Sequence, residues 1–572
     1  MVTTPSGRAA AEAWDGYCDI LEAVEAANTD RAVRECPAGA GADRILLTAG
    51  ATYPTAKTLR LDTPVAIGVA GGGGGRAAIV AAADFVTRSD DRWSGCLVYA
   101  SVKEGAVELK DLTLSQDPAV SVTGACVTFG FFEIRDARVT GFRQGGIVGY
   151  CLPELGCDNE IDRGATTIKV LGSLIDGNDS ARPGGGVASE GAGTTLIVEH
   201  TAVVNNGSRV GGGGLYFGGG WNTHRIEHST VSGNTAPVGG GVLVSFASCT
   251  ATYLYVLNST IAHNTAASTG GGIQFDGNVD CYAQDVTVLA SIVSNNAAGV
   301  TSQENINADW KGGQFNCDRG SLLPVAPGLP LPSGASGTPC RFDVADAWLA
   351  PLTVMGGVGN LPVHPPRRGS PAIDAAPDDL AEDQQRDSWI SLFDAPSPPA
   401  WTLFDRVVDG DGDGRAIRDV GAYEVNELWQ TELLAVGAKG PAPHAVVTAP
   451  AGYNRGAGTA YGATDASGQF VTYVVPIAEP GNYAVGVGVR QAADAGEFQA
   501  AVADDAGGPW TNLGTVHETY AEVSAFVELS LTASHGFLTA GEKFLRLTVM
   551  GKSPASAGHH LFVDYVRMAK VP

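Results

Sequence analysis

Five side chains between positions 209 and 228 have the types that proton transfer on an acidic sugar ring requires. Arg209, Tyr216, His224, Arg225 and His228 lie within twenty residues of one another, with Trp221 among them. Eliminating a uronate link takes a base for the proton beside the carboxylate, and positive charge or calcium to hold the carboxylate itself. Histidine, tyrosine and arginine supply that set, and Trp221 offers a face on which a sugar ring stacks. Asp276 and Asp280 add a carboxylate pair farther along. The same residues also fit a bland alternative, a polar ladder on the surface of a repeat protein. No GxSxG elbow, HExxH or P-loop occurs, and Asn222-Thr-His224 lacks the carboxylate of a glycosidase triplet.

A second set suits a hard cation. Asp409, Asp411, Asp413 and Asp419 occupy positions 1, 3, 5 and 11 of a glycine-rich loop, so several oxygens can converge on calcium. Position 12 carries no glutamate, which separates the loop from an EF-hand; a structural staple is the expected role. The alternative is a solvated acidic turn. Near the C-terminus Trp510 and Tyr520 are candidates for sugar stacking, with core packing as the competing role.

These residues need a scaffold, and the middle of the chain repeats one. Ser173-Leu-Ile-Asp-Gly-Asn178, Thr201-Ala-Val-Val-Asn-Asn206, Ser229-Thr-Val-Ser-Gly-Asn234, Ser259-Thr-Ile-Ala-His-Asn264 and Ser291-Ile-Val-Ser-Asn-Asn296 recur every 28 to 32 positions. Ile175, Val203, Val231, Ile261 and Val293 form an aliphatic column, and glycine clusters follow each of the first four units. That period, with short β-branched runs, asparagine at a turn and glycine corners, specifies the coil of a parallel β-helix whose stacked coils share one core. The asparagines are expected in the left-handed conformation at a turn, with their amides bonded up the ladder. His200, His228 and Asn258, each six places before an asparagine, form a further column. Helical repeats are excluded by the glycine, threonine and valine content.

Earlier coils are expected from Val107–Leu114 and Phe132–Val139, so the solenoid spans about residues 45 to 300. Residues 1–44 cap it, with helical spacing over 19–28 (Ile20, Leu21, Val24, Ala27). Residues 301–427 hold the solenoid exit and the acidic loop. From 428 to 572, period-two alternation in Tyr483–Val489, Phe544–Val549 and Leu561–Arg567 indicates antiparallel strands of a β-sandwich. The fold expected is all-β: a right-handed parallel β-helix followed by a jelly-roll sandwich.

Composition agrees. The 572 residues include 77 glycines, roughly twice ordinary usage, and only 17% charged residues. The formal net charge of −25 opposes nucleic acid and anionic membrane as partners. Ten cysteines pair naturally as Cys18–Cys36, Cys96–Cys126, Cys151–Cys157, Cys249–Cys281 and Cys317–Cys340, and the absence of CxxC argues against zinc ribbons. Disulfides place the protein outside the cell, although the first eight residues contain no apolar signal core. No apolar run of 18 residues exists for a membrane span. The two expected caps favour a monomer.

Cys18-Asp-Ile-Leu-Glu-Ala-Val-Glu-Ala-Ala-Asn-Thr29, followed by Cys36-Pro-Ala-Gly-Ala-Gly-Ala-Asp-Arg-Ile-Leu-Leu47, resembles the CSLREAI domain of bacterial secreted β-helix proteins; Leu21 replaces the family's arginine. Gly369-Ser-Pro-Ala-Ile-Asp374, Asp383-Gln-Gln-Arg386 and Asp419-Val-Gly-Ala-Tyr-Glu424 resemble the choice-of-anchor Q segment. Both resemblances imply a surface or secreted β-helix and neither implies an activity. The last 145 residues resemble jelly-roll accessory modules of secreted carbohydrate-active proteins, through Val563-Asp-Tyr-Val-Arg567 after Gly551-Lys-Ser-Pro-Ala-Ser556. That resemblance implies binding of polysaccharide. The expectation is a glycan-binding protein of the cell exterior, with a polysaccharide lyase or glycoside hydrolase as the alternative.

Overall fold

The computed structural model describes residues 16–70, 75–87, 95–150, 166–190, 193–218, 222–245, 252–276, 284–300, 303–308, 314–324, 340–344, 346–354, 361–367, 370–376, 419–422, 428–431, 434–448, 457–463, 468–477 and 480–571. These residues are nearly all β and fall into two units. One runs through Ala347 with two later segments, and the other holds Trp348–Ser370, Pro399–Ala416 and Glu424–Pro572.

The first unit is a parallel solenoid. Its one helix among the described residues, Ile20–Thr29, starts at Asp19, whose carboxylate accepts the Glu22 N–H at 2.9 Å, and ends at Asp30 in the left-handed region. Ile20, Val24 and Ala27 turn into the same core as Ile45, Leu47 and Tyr53, so the helix covers apolar surface that an open coil would expose. Disulfides join Cys18 to Cys36, Cys96 to Cys126 and Cys317 to Cys340. The pairs expected for Cys151, Cys157, Cys249 and Cys281 lie outside the described residues.

Nine short parallel strands, Thr52–Thr55 through Ile292–Ser294, form one wall. Ile175, Val203, Val231, Ile261 and Val293 stand in register on it and are fully buried. A larger parallel sheet forms two further rows. The first row includes Ile147–Tyr150, Val187–Glu190, Leu215–Gly218, Val242–Ser245 and Ile273–Asp276; the second includes Thr166–Leu171, Thr194–Glu199, Asn222–Glu227, Thr252–Leu257 and Gln284–Leu289. Both rows continue past residue 300, to Ile306–Ala308 and Gln314–Asp318.

Two side-chain ladders fix the register. Each serine or threonine at 173, 201, 229, 259 and 291 offers its amide to the next hydroxyl up the stack. Each asparagine carboxamide oxygen accepts two bonds from the coil before it, as Asn234 does from the Asn206 amide and side chain at 2.9 and 3.0 Å. The asparagines themselves are not left-handed. That conformation belongs to the residue before each one: Gly177, Asn205, Gly233, His263 and Asn295. The reason is that the preceding residue makes the corner, which frees the asparagine to turn its amide inward, where it is buried and fully bonded.

The glycine clusters serve closeness more than conformation. At Gly213 a β-carbon would stand 2.5 Å from the carbonyl oxygens of Gly240 and Thr235 on the next coil, a separation that excludes any side chain.

Among the described residues the second unit is built on two large antiparallel sheets, beside a short antiparallel pair of Thr353–Val354 with Pro362–Val363. One contains His444–Thr448, Ala457–Tyr461, Leu561–Val571, Gly481–Gln491 and Ala525–Phe537, with Leu428–Gln430 joined to it; the other contains Ala435–Lys439, Phe470–Ile477, Gly541–Gly551, Glu497–Ala503 and Thr511–Glu518. Tyr461, Val487 and Val566 from one sheet and Tyr473, Phe498 and Leu547 from the other share a single core.

Candidate functional site

On the second row of the solenoid, alternation points Ile168, Val170, Leu196, Val198, His224 and Ile226 into the core. His224 is therefore an interior residue, fully buried, with Nδ1 accepting the Leu196 N–H at 3.1 Å and its ring 4.9 Å from that of Phe217. Burial drives its pKa down to about 3. The expected role for His224 in substrate chemistry is overturned by this placement, because a neutral ring sealed inside the coil meets no substrate.

Arg225 faces outward on the same strand, in register with Ile197 and Tyr255, and donates to Glu227 at 3.3 Å. His228 follows at the corner. The column His200, His228, Asn258 is left-handed throughout, and each backbone amide bonds the next coil's carbonyl. The rings of His200 and His228 stack at 4.6 Å with 9° between their planes. Down the row Arg135 bonds Glu108 at 2.9 Å, and Lys169 bonds Glu199 at 3.1 Å. Burial raises the pKa of Glu133 while Lys169 and Arg135 lower it. Every arginine and lysine named here already has a carboxylate partner, so this face is a zipper of opposite charges.

Arg209 sits at a different corner, exposed and 3.3 Å from Asp179; the strands bring it together with neither Arg225 nor His228. Tyr216 is on the outer face of the first row, its ring over Gly218 and its hydroxyl bonded to Ser245. The five proposed groups thus divide among an interior position, two sheet faces and two corners. Trp221 and Asp280 lie outside the described residues.

On the sandwich, Trp510 begins Thr511–Glu518's approach and its ring stacks on the Arg546 guanidinium at 3.7 Å; Arg546 also lies 4.3 Å from the Phe470 ring. Burial lowers the Arg546 pKa. Tyr520 is half-buried and bridges to Ala492.

Sequence reasoning missed Tyr565. It pairs with Gly488 across the sheet, and a β-carbon on Gly488 would stand 2.6 and 2.7 Å from Cδ1 and Cζ of its ring. Adjacent ring atoms at equal range mean that the ring lies face-down on the glycine. Its hydroxyl donates to Glu528 Oε2 at 2.9 Å, and Arg567 donates to Glu528 Oε1 at 3.1 Å. Burial and the bonded carboxylate push the Tyr565 pKa up to about 12. The signal in the sequence was the Gly486-Val-Gly488 interruption of a strand, which marks a close approach.

Of the proposed calcium loop, Asp409, Asp411 and Asp413 lie outside the described residues. Asp419 is fully buried and its Oδ1 accepts the Asp374 N–H at 2.8 Å. Among the described residues no three His, Cys, Asp or Glu side chains converge as a metal site, and no helix is long and apolar enough to cross a membrane.

No family model and no curated protein matches the chain, so the CSLREAI and choice-of-anchor Q resemblances gain no support. Among solved structures it is similar to a Paenibacillus xanthan lyase at 19% identity and TM-score 0.22, covering 27% of this chain and 15% of that one. It is also similar to a carbohydrate-binding module of Cellvibrio mixtus lichenase 5A solved with cellotriose (15% identity, 25% and 97% covered, TM-score 0.18). A module solved with calcium and xylotriose gives 15% identity, 25% and 98% covered and TM-score 0.17. The chain thus spans a small part of the lyase, and about a quarter of it spans nearly the whole of each module. The structural neighbours are carbohydrate-binding modules and polysaccharide-degrading enzymes.

Proposed function

We propose that the protein is an extracellular polysaccharide-binding protein whose second unit, a jelly roll, holds the glycan. The observation that carries this reading is the Tyr565 ring pressed flat on Gly488 between Glu528 and Arg567. A ring fixed on one face presents the other to the apolar face of a sugar at little entropic cost, and a carboxylate and a guanidinium beside it suit sugar hydroxyls. Trp510, held by Arg546, is a second stacking surface, and Tyr520 a third. The solenoid winds right-handed, as parallel crossovers do, and acts as a rigid monomeric support. Three disulfides fit an oxidising exterior. Calcium held by Asp409, Asp411, Asp413 and Asp419 staples the intervening loop.

The test is retention of the full-length protein in gels containing xylan, mixed-linkage glucan or galactomannan. The reading expects slowed migration in at least one, reduced by Tyr565→Ala. Free migration in all three contradicts it.

A further inference from the structure

The sheet of the second unit that does not carry Tyr565 holds, on its outer face, an arginine without a counter-charge. Along Gly541–Gly551, alternation sends Leu545, Leu547 and Val549 into the core and leaves Phe544, Arg546 and Thr548 outside. In register with Arg546 stand Thr472 on one side and Ala501, then Asn512, on the other. None of these neighbours is charged. The solenoid face differs, since Arg135 and Arg225 each meet a glutamate there.

The Arg546 guanidinium is nonetheless fixed. Phe470 comes from the strand on one side of Gly541–Gly551, and Trp510 from the chain beyond the strand on the other. Their ring centroids lie 4.3 and 3.7 Å from Cζ. Nε donates to the Thr472 hydroxyl at 3.3 Å. Trp510 is itself set against Gly508, where a β-carbon would stand 2.8 Å from Cδ1 of the indole. Two rings and a hydroxyl therefore occupy the flat sides and the Nε edge. Among the described residues no acceptor meets the two terminal Nη groups. Burial lowers the Arg546 pKa and no neighbouring charge offsets it, yet a guanidinium stays ionised at any ordinary pH.

A charged fork held in advance, with its open edge unfilled, matches a planar pair of anionic oxygens and loses little freedom when it meets them. A neutral hydroxyl in the same place would leave the positive charge uncompensated. One arginine on a chain of net charge −25 suits a single acid group on a neutral backbone, because a polyuronate would bring many charges with no partner.

We propose that Arg546 is the anion-reading residue of a second sugar subsite, where its two Nη groups hold the carboxylate of a uronic acid borne on an otherwise neutral glycan. Phe470, Trp510 and Thr472 act as positioning residues for that fork. The inference rests on the glycan-binding reading and deepens it by naming the substituent that is recognised, on the opposite sheet from the Tyr565 platform.

The test titrates the full-length protein with glucuronoxylan and with the same polymer after its carboxyl groups are reduced to alcohols. Native polymer should bind about 10-fold more tightly, and the preference should narrow as salt is added. Arg546→Met should abolish the preference, and Arg546→Lys, which keeps the charge but not the fork, should retain only part of it. Tyr565→Ala should weaken both polymers alike and leave their ratio unchanged. Equal affinities for the two polymers, or a full preference in a folded Arg546→Met, overturns the subsite. If Arg546→Met melts early, full preference in Arg546→Lys overturns the fork in its place. Displacement of glucuronoxylan by the sulfated galactan κ-carrageenan, with no preference for carboxylate over alcohol, assigns the site to sulfate and overturns the uronate. Methyl glucuronide and methyl glucoside are compared in parallel by saturation-transfer NMR, with signal expected from the glucuronide and lost in Arg546→Met. Glucuronide signal without any dependence of polymer binding on Tyr565 sinks the platform alone; a Tyr565-dependent affinity with no glucuronide signal sinks this inference alone.

Discussion

Asn206 donates its backbone and side-chain N–H groups to the single carboxamide oxygen of Asn234, at 2.9 and 3.0 Å. Asn234 in turn repeats both bonds to Asn264 and donates to the Val203 carbonyl of the preceding coil. Removing the side chain takes the acceptor from both Asn206 N–H groups and a donor from the Val203 carbonyl on the preceding coil, and one of two donors from Asn264 Oδ1 on the next. Asn234→Ala is expected to cost about 3 kcal/mol, since each buried group left unpaired costs roughly 1–3 kcal/mol. Chemical denaturation of the two proteins measures it, and a loss comparable to that of an exposed-site alanine would contradict the ladder's role.

His224 gives the solenoid a pH dependence with a fixed sign. Its folded pKa of about 3 lies below the ordinary histidine value of 6.5, so the unfolded chain takes up a proton first. The contribution is fully present above pH ~6.5 and is lost as pH falls toward about 3. Between neutrality and pH ~4.5 the loss is on the order of 2–3 kcal/mol, at about 1.4 kcal/mol per unit. His224→Leu should be less stable at pH 7, because the Leu196 N–H loses its acceptor, yet should show a flatter stability profile. An unchanged slope would place the histidine in contact with solvent.

Glycines of one corner differ in what they tolerate. Gly177 is left-handed, with only the Thr140 hydroxyl within 4 Å of an added β-carbon, whereas Gly213 faces backbone oxygens of the next coil at 2.5 Å. Gly177→Ala should cost about 1–2 kcal/mol of conformational strain. Gly213→Ala should cost several times that, because two coils must separate. Equal melting temperatures for the two variants would contradict the close stacking.

Calcium held by the acidic loop would stabilise the folded protein by mass action. Adding EDTA should lower the melting temperature, and excess calcium should restore it, with Asp411→Asn insensitive to both. An identical melting temperature with and without chelator removes calcium from the account.

The solenoid was legible because its constraints are local and periodic. Serine, aliphatic and asparagine columns recur at fixed spacing, and each occupies one rung position. The corner was misplaced by one residue, since asparagine suits both a left-handed turn and a buried amide ladder, and only the backbone separates Asn205 from Asn206. His224 was misjudged by its nearness to His228 in sequence. Its period-two phase with Ile226 would have placed it inside. The Tyr565 platform depends on pairing with a distant strand, Gly481–Gln491, about 75 residues earlier in the chain. Such relationships are set by topology and leave little trace in local sequence.

The most direct measurement is a binding isotherm of the full-length protein and its Tyr565→Ala variant on whichever of xylan, mixed-linkage glucan or galactomannan retards it. Losing the stacking face removes about 1.5–3 kcal/mol of apolar contact, so affinity should fall roughly 10- to 100-fold while the melting temperature holds. Equal affinities for two folded proteins would contradict the platform as the site of glycan binding.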